Sequence, residues 1–226
     1  VRGRDRVEEV RTILIAISAR HIHLRPSPVE QLFGPGHQLT PRNPLSQPGQ
    51  YACEETVDVV GPRRTIEKVR VLGPVRGADQ VEISRTDEFF LGIDAPVRDS
   101  GDLRGTPGVT LVGPAGSITL KQGVICARRH IHMTPEDATH FGVQDGDVVE
   151  VAVDSEGRDL TFGDVVIRVS SKFALEMHVD TDEANAAELN PGDEGMLATT
   201  EGRARLVRRS ILPPGCKTRA ISLSPS

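Results

Sequence analysis

The sequence predicts a mostly β protein built from two similar units, each a small barrel or sandwich. Three observations lead there. One stretch occurs twice, as Ala19-Arg20-His21-Ile22-His23-Leu24 and as Arg128-Arg129-His130-Ile131-His132-Met133. The 226 residues include 22 Gly and 16 Pro, scattered along the chain, which suits many short strands and turns better than long helices. With no Trp, one Tyr and six Phe, the core must be mostly Val, Ile, Leu and Ala.

Residues 1–9 are polar and charged and read as a leader, a short helix or a disordered segment. Residues 10–24 read as the first strand together with its histidine pair. Ile13-Leu14-Ile15-Ala16-Ile17 is a buried-strand run, and Val124-Ile125-Cys126-Ala127 plays the same part before the second pair. If each strand continues through its histidines, side chains at i and i+2 share a face. Two imidazoles then lie together, with an isoleucine on the opposite face, a chelate suited to zinc or a similar metal. Four of the seven histidines sit in these pairs. The competing interpretation is a duplicated strand whose histidines are satisfied by backbone carbonyls.

Ser27–Phe33 reads as a short helix capped by Ser27, with Pro28 in its first turn and Gly34 at its end. Thr134–Phe141 repeats the layout, and Gly142 ends it. A helix starting just after a metal pair can offer free backbone N–H groups to an anion. His37 and His140 fall outside the pattern and read as surface residues. Residues 35–50, rich in Pro, Gly, Asn and Gln, read as a loop long enough to be a lid or a ligand wall.

Short strands follow at Thr56–Val60, Thr65–Leu72, Gln80–Ser84, Val109–Val112 and Ser117–Leu120, punctuated by Gly-Pro at 61–62, 73–74 and 113–114. The polar segment Pro96–Asp102 reads as a solvated turn rather than a ligand contact. Val143–Val151 is a Gly-Asp turn feeding a strand, and Leu160–Phe162, Asp164–Val169 and Phe173–Asp180 are further strands. Thr181 caps a last helix. Residues 198–226 lose periodicity and read as a tail.

The formal net charge of −5 gives no sign of nucleic-acid binding, and no apolar run reaches membrane-spanning length. No secretory signal is visible in the sequence as it begins. Three widely spaced cysteines form no disulfide framework, which favours a reducing interior. Walker A, G-x-G-x-x-G and the serine nucleophile elbow are all missing from the sequence.

His21, His23, His130, His132 and His178 are therefore candidate metal ligands. Five are too many for one open tetrahedral zinc and suit two metals. A sixth, carboxylate ligand would fit, and Glu82 in Gln80-Val81-Glu82-Ile83-Ser84 faces away from Val81 and Ile83; on the residues alone an outward-facing solvated charge is the favoured alternative. Arg20, Arg70, Arg76, Arg85, Arg98 and Arg129 could serve an anionic substrate, since a guanidinium grips phosphate through paired donors. Cys53 reads as a buried thiol rather than a nucleophile.

Ser18–His23, Ala52–Glu55, Val71–Pro74, Val81–Asp87, Pro96–Gly101, Arg129–Met133 and Phe173–Ala187 together resemble the PduL-type phosphotransacylases, also called phosphate propanoyltransferases. The resemblance covers residues 10–197. It implies two small β-barrels capped by short α-helices, with residues 20–127 forming the first and residues 10–19 plus 128–197 a discontinuous second. It implies two zinc ions per subunit, one on His21, His23 and Glu82 and the other on His130, His132 and His178. Ser18, Arg70, Leu72 and Asn185 would line a coenzyme A site, and Arg76 would hold phosphate as a catalytic residue. The implied reaction is acyl-CoA, in this family chiefly propanoyl-CoA, plus phosphate giving acyl phosphate and coenzyme A. A homo-oligomer, shell or lumen enzymes of a bacterial microcompartment as partners, and a location in that lumen or in the cytoplasm are compatible with the resemblance. A two-metal hydrolase of thioesters or phosphate esters and a barrel with purely structural zinc are the rival functions.

Overall fold

The computed structural model describes residues 12–155 and 157–198. The expected leader at 1–9 and nearly all of the expected tail lie outside the described residues. In chain order the first half contains β1 (Thr12–Ser18), β2 (His21–His23), α1 (Pro26–Phe33), β3 (Pro41–Pro44), β4 (Tyr51–Val60), β5 (Thr65–Gly73), β6 (Gln80–Glu82), α2 (Arg85–Leu91), β7 (Val97–Arg98), β8 (Val109–Val112), β9 (Ser117–Leu120) and β10 (Val124–Ala127). The second half contains β11 (His130–Met133), α3 (Pro135–Phe141), β12 (Val148–Val153), β13 (Leu160–Val169), β14 (Glu176–Asp180), α4 (Thr181–Ala186) and β15 (Glu194–Ala198).

The mostly β expectation holds, with short helices against the sheets. One sheet closes into a barrel in the order β1-β14-β11-β13-β12-β15, sealed by β15 against β1. The other stays open as a half-barrel, β7-β10-β6-β2-β5-β4-β8-β9, with β3 beside β4. Each has its own aliphatic core. Ile22, Val71, Val81 and Leu111 lie in one, and Ile13, Ile131, Val151 and Met177 in the other.

The single strand expected over residues 10–24 is broken. β1 runs parallel to β14 in the closed barrel, and the chain then crosses at Ala19-Arg20 so that β2 pairs with β5 and β6 in the open sheet. The polar Arg20, which bonds Asp87, marks the crossing.

Several boundaries differ from expectation for local reasons. α1 is capped from Arg25, whose backbone N–H donates to Asp79 at 2.8 Å, and the Ser27 hydroxyl instead accepts from Gln31. Residues Arg85–Leu91 form a helix that strand periodicity hid: Ser84 caps it in a reciprocal capping box with Asp87. Asp180, not Thr181, caps α4 through the same kind of box with Glu183. The two strands expected at 160–162 and 164–169 are one, carried through Asp164 at φ 54°. Thr134 caps α3 as expected, and Gly142 ends it in the left-handed region at φ 70°. No described helix is long and apolar enough to cross a membrane.

Candidate metal centre and substrate cleft

The isoleucine inside each His-x-His segment fixes the histidines. Ile22 and Ile131 are both fully buried, each in its own core. Burying such a side chain stabilises the fold by about 1.5–3 kcal/mol, so a one-residue slip that turned imidazoles inward would be strongly disfavoured. The histidines therefore point to the other face, toward the opposite half of the molecule.

A third ligand comes from the antiparallel neighbour in each case. On β6, Glu82 stands directly opposite His21. On β14, His178 stands directly opposite His130. The candidate ligand atoms of His21, His23 and Glu82 lie within 4.8 Å of one another, and so do those of His130, His132 and His178. The ring centroids of the two pairs are 4.9 Å apart in the first and 4.6 Å apart in the second.

Hydrogen bonds select the free nitrogens. His21 Nδ1 is 2.8 Å from the Ala19 carbonyl, and His130 Nδ1 is 2.9 Å from that of Arg128. A carbonyl only accepts, so each Nδ1 carries the proton and each Nε2 keeps its lone pair. Backbone carbonyls thus satisfy one nitrogen of each leading histidine, as the competing interpretation required, yet the rest of the cluster stays unsatisfied. His23 Nδ1, His132 Nδ1 and His178 Nε2 are buried with no hydrogen-bond partner. His178 Nε2 comes within 3.1 Å of Glu176 Oε2 without adopting hydrogen-bond geometry, and its Nδ1 faces the Ser18 hydroxyl at 3.3 Å. Orphaned buried imidazole nitrogens are costly. Three such nitrogens within clusters whose candidate ligand atoms lie close together fit a pair of divalent cations, and the nitrogen and oxygen donors suit zinc.

Electrostatics leave most of these imidazoles ready to bind a cation. Burial, reinforced by His21 and Arg76, holds His23 down to about 3. Burial and then His178 lower His130 to about 4, and burial with His130 and His178 lowers His132 to about 2. For His21 burial opposes the charge, but Glu82 at 3.5 Å raises it above the ordinary value. Burial alone would raise Glu82; His21 and His23 instead hold it well below the usual carboxylate range.

Both clusters line one cleft of about 740 Å³ between the halves. Ser18, Arg70, Leu72 and Arg76 line it too, whereas Asn185 sits on the exposed surface of α4, outside that lining. Arg76 donates to Gln50 at 3.0 Å, and Arg70 donates to the Cys53 and Glu54 carbonyls at 2.8 and 2.9 Å. Of the other arginines singled out by sequence, Arg20 lines the cleft but is paired with Asp87. Arg85, Arg98 and Arg129 pair with Glu88, Asp102 and Glu183 and do not line it.

The 35–50 segment does form a wall. Ser46 and Gln47 donate to Glu176, and Gln47 also exchanges hydrogen bonds with the Ala174 backbone, so a loop from the first half is fastened to the second. The segment at 96–102 is not wholly solvated: Ser100 and Gly101 line the cleft, and Ser100 donates to Glu82. His37 is bonded to Glu55 at 2.8 Å, while His140 is exposed as expected. Cys53 is fully buried, and burial pushes its thiol up to about 12.

Sequence reasoning gave no role to Gln80 or Arg168 and noted Glu176 only as a neighbour of His178. Gln80 holds Glu82 in place, and Arg168 lines the cleft from β13. A lone arginine within Val165-Val166-Ile167-Arg168-Val169 carries the same kind of signal that drew attention to Glu82.

Known proteins match this chain over most of its length. The phosphate propanoyltransferase family model matches residues 14–190. A phosphate propanoyltransferase of Thermotoga maritima is 60% identical over 181 residues, covering 80% of this chain and 86% of the relative. Namesakes from Priestia megaterium and Salmonella typhimurium are 53% and 54% identical, covering 84% and 78% of this chain and 87% and 84% of their own lengths.

Proposed function

The chain belongs to the phosphate propanoyltransferase family and is a phosphate acyltransferase, and from that premise we propose that it moves an acyl group, chiefly propanoyl, reversibly between coenzyme A and inorganic phosphate in the cleft between its halves. The observation that carries this reading is the convergence of two equivalent ligand clusters, with orphaned imidazole nitrogens, on one cleft that also holds guanidinium groups.

His21, His23 and Glu82 would hold one zinc ion, and His130, His132 and His178 the other. Zinc bound there supplies Lewis-acid polarisation of a thioester carbonyl and a soft partner for a departing thiolate. The remaining work falls to the chain. Arg76, kept in place by Gln50, binds and orients phosphate through its remaining donors. Positioning two anionic reactants side by side is itself a large part of the catalytic task. Ser18, Arg70 and Leu72 line the coenzyme A side, and Asn185, near the C-terminal end of α4 and outside the cleft lining, is assigned to the outer part of that ligand.

The reaction is direct. A phosphate oxygen forms a bond to the thioester carbon, the carbon–sulfur bond breaks, and the thiolate leaves with coenzyme A. No acyl-enzyme is required. Among the described residues the two cysteines support this: Cys53 and Cys126 are buried, burial holds both thiols near 12, and neither lines the cleft.

Release of free thiol from propanoyl-CoA, followed with and without phosphate, tests the proposal. Strict dependence on phosphate, with acyl phosphate formed in equal amount, is expected, and Cys53→Ala should retain both activity and metal. Equal thiol release without phosphate would make the protein a hydrolase, and an acyl group trapped on Cys53 would rule out direct attack.

A further inference from the structure

Arg168 distinguishes itself from the other arginines of the cleft. Arg20 is paired with Asp87, Arg70 with two backbone carbonyls and Arg76 with the Gln50 amide oxygen. Among the described residues no carboxylate, carbonyl or amide oxygen pairs with the Arg168 guanidinium. Its backbone is held firmly, in parallel register opposite His132 within the closed barrel. Of the acidic side chains only Glu82 lines the cleft, and His21 and Gln80 already engage it. A half-buried, unpaired guanidinium is an electrostatically expensive arrangement unless an anion visits it.

Arg76 reaches the same cleft from the opposite half. Both guanidinium groups line that cleft; burial lowers Arg76 below its usual range, Glu82 opposes this, and the charge of Arg168 adds to the lowering. Two guanidinium groups in one concave site, where Glu82 is the one acid among the described lining residues and is already engaged by His21 and Gln80, leave positive charge to receive a multiply charged anion. Phosphate offers oxygens in several directions, so one guanidinium from each half can hold it without competing for the same atom.

We infer that Arg168 is a second phosphate-binding residue, gripping the phosphoryl group from the side of His130, His132 and His178 while Arg76 grips it from the other half. This rests on the proposed acyltransfer to phosphate and adds a residue that fixes where the nucleophile sits. It also explains why neither half alone would bind phosphate well: each contributes one fork.

The test uses the full chain carrying its metal, with Arg168→Met and Arg168→Lys. Arg168→Met should raise the KM for phosphate by roughly tenfold or more, the usual cost of a lost charge-assisted hydrogen bond, and leave the KM for propanoyl-CoA within about twofold. Independently of turnover, inorganic phosphate should raise the thermal midpoint of the unsubstituted protein and raise that of Arg168→Met far less. Arg168→Lys keeps the charge and loses the fork, so its phosphate KM should lie between the two; if Arg168→Met does not fold, this variant decides. An unchanged phosphate KM and an unchanged phosphate-induced shift would overturn the inference, as would a rise confined to the KM for propanoyl-CoA. Failure of the unsubstituted protein to need phosphate would instead sink the proposed reaction, and the thermal shift would still judge Arg168.

Discussion

The two halves of the molecule solve one geometric problem with the same parts and then differ in a single exchange. In each, an arginine precedes the His-x-His pair and bonds the acid of a capping box, Arg20 with Asp87 and Arg129 with Glu183. In each, the third ligand stands opposite the leading histidine and two residues before a helix cap, Glu82 before Ser84 and His178 before Asp180. The residue opposite the second histidine is Gln80 in the first half and Glu176 in the second. The carboxylate has thus moved from the ligand position to the position behind it. A His-His-Glu set neutralises part of a divalent charge directly, whereas an all-imidazole set leaves that charge to face an incoming anion, with Glu176 engaged by Ser46 and Gln47 instead. If both clusters hold divalent ions as proposed, the second half would be the better anchor for phosphate, on the same side as the proposed Arg168 on β13.

The comparison can be broken most sharply at the leading histidines. His130→Ala should lower acyl phosphate formation by more than about 100-fold, since even weakening the surroundings of a metal ligand costs 10–100-fold. It should also remove about half of the bound metal, because the cluster on the other half keeps all its members. Elemental analysis of the purified variant checks this. Full metal content, or unchanged turnover, would show that the clusters do not act as separate sites.

A smaller effect sharpens the comparison through pH. His23, His130 and His132 titrate well below 6.5 in the folded, metal-free chain. The unfolded chain takes up their protons near the ordinary value, so acid favours unfolding. His21, raised by Glu82, works the other way, contributing stability that is present below 6.5 and lost as pH rises through its folded value. Three lowered groups outweigh one raised one. The thermal midpoint of chelator-treated protein should fall as pH drops from about 6.5 toward 4. A midpoint constant or rising over that window would contradict the burial described for these imidazoles.

The four paired histidines were legible as candidate ligands because a doubled His-x-His leaves little freedom: a buried isoleucine between them fixes their face, whereas His178 and Glu82 joined the set through the family resemblance. Glu82 stood out as a charge inside an apolar alternation. What sequence could not convey was pairing. That Gln80 and Glu176 oppose the second histidines follows from antiparallel register, which no local pattern encodes. The break at Ala19-Arg20 appears only in the long-range pairing of β1 with β14 and of β2 with β5 and β6, and Arg20 meets Asp87 there. The helix at Arg85–Leu91 was masked because Val81 and Ile83 alternate like a strand until Ser84 caps the turn. Arg168 went unnoticed because its neighbours read only as core, and its isolation became visible once the carboxylates had found other partners.

The central claim is that the two clusters hold divalent ions which the reaction needs. Metal content per chain, measured on the same sample as phosphate-dependent thiol release before and after chelation, addresses it directly. The account predicts two ions per chain, one for each cluster, and loss of acyl phosphate formation with their removal, restored by adding zinc. Metal-stripped protein that still makes acyl phosphate at full rate would contradict it.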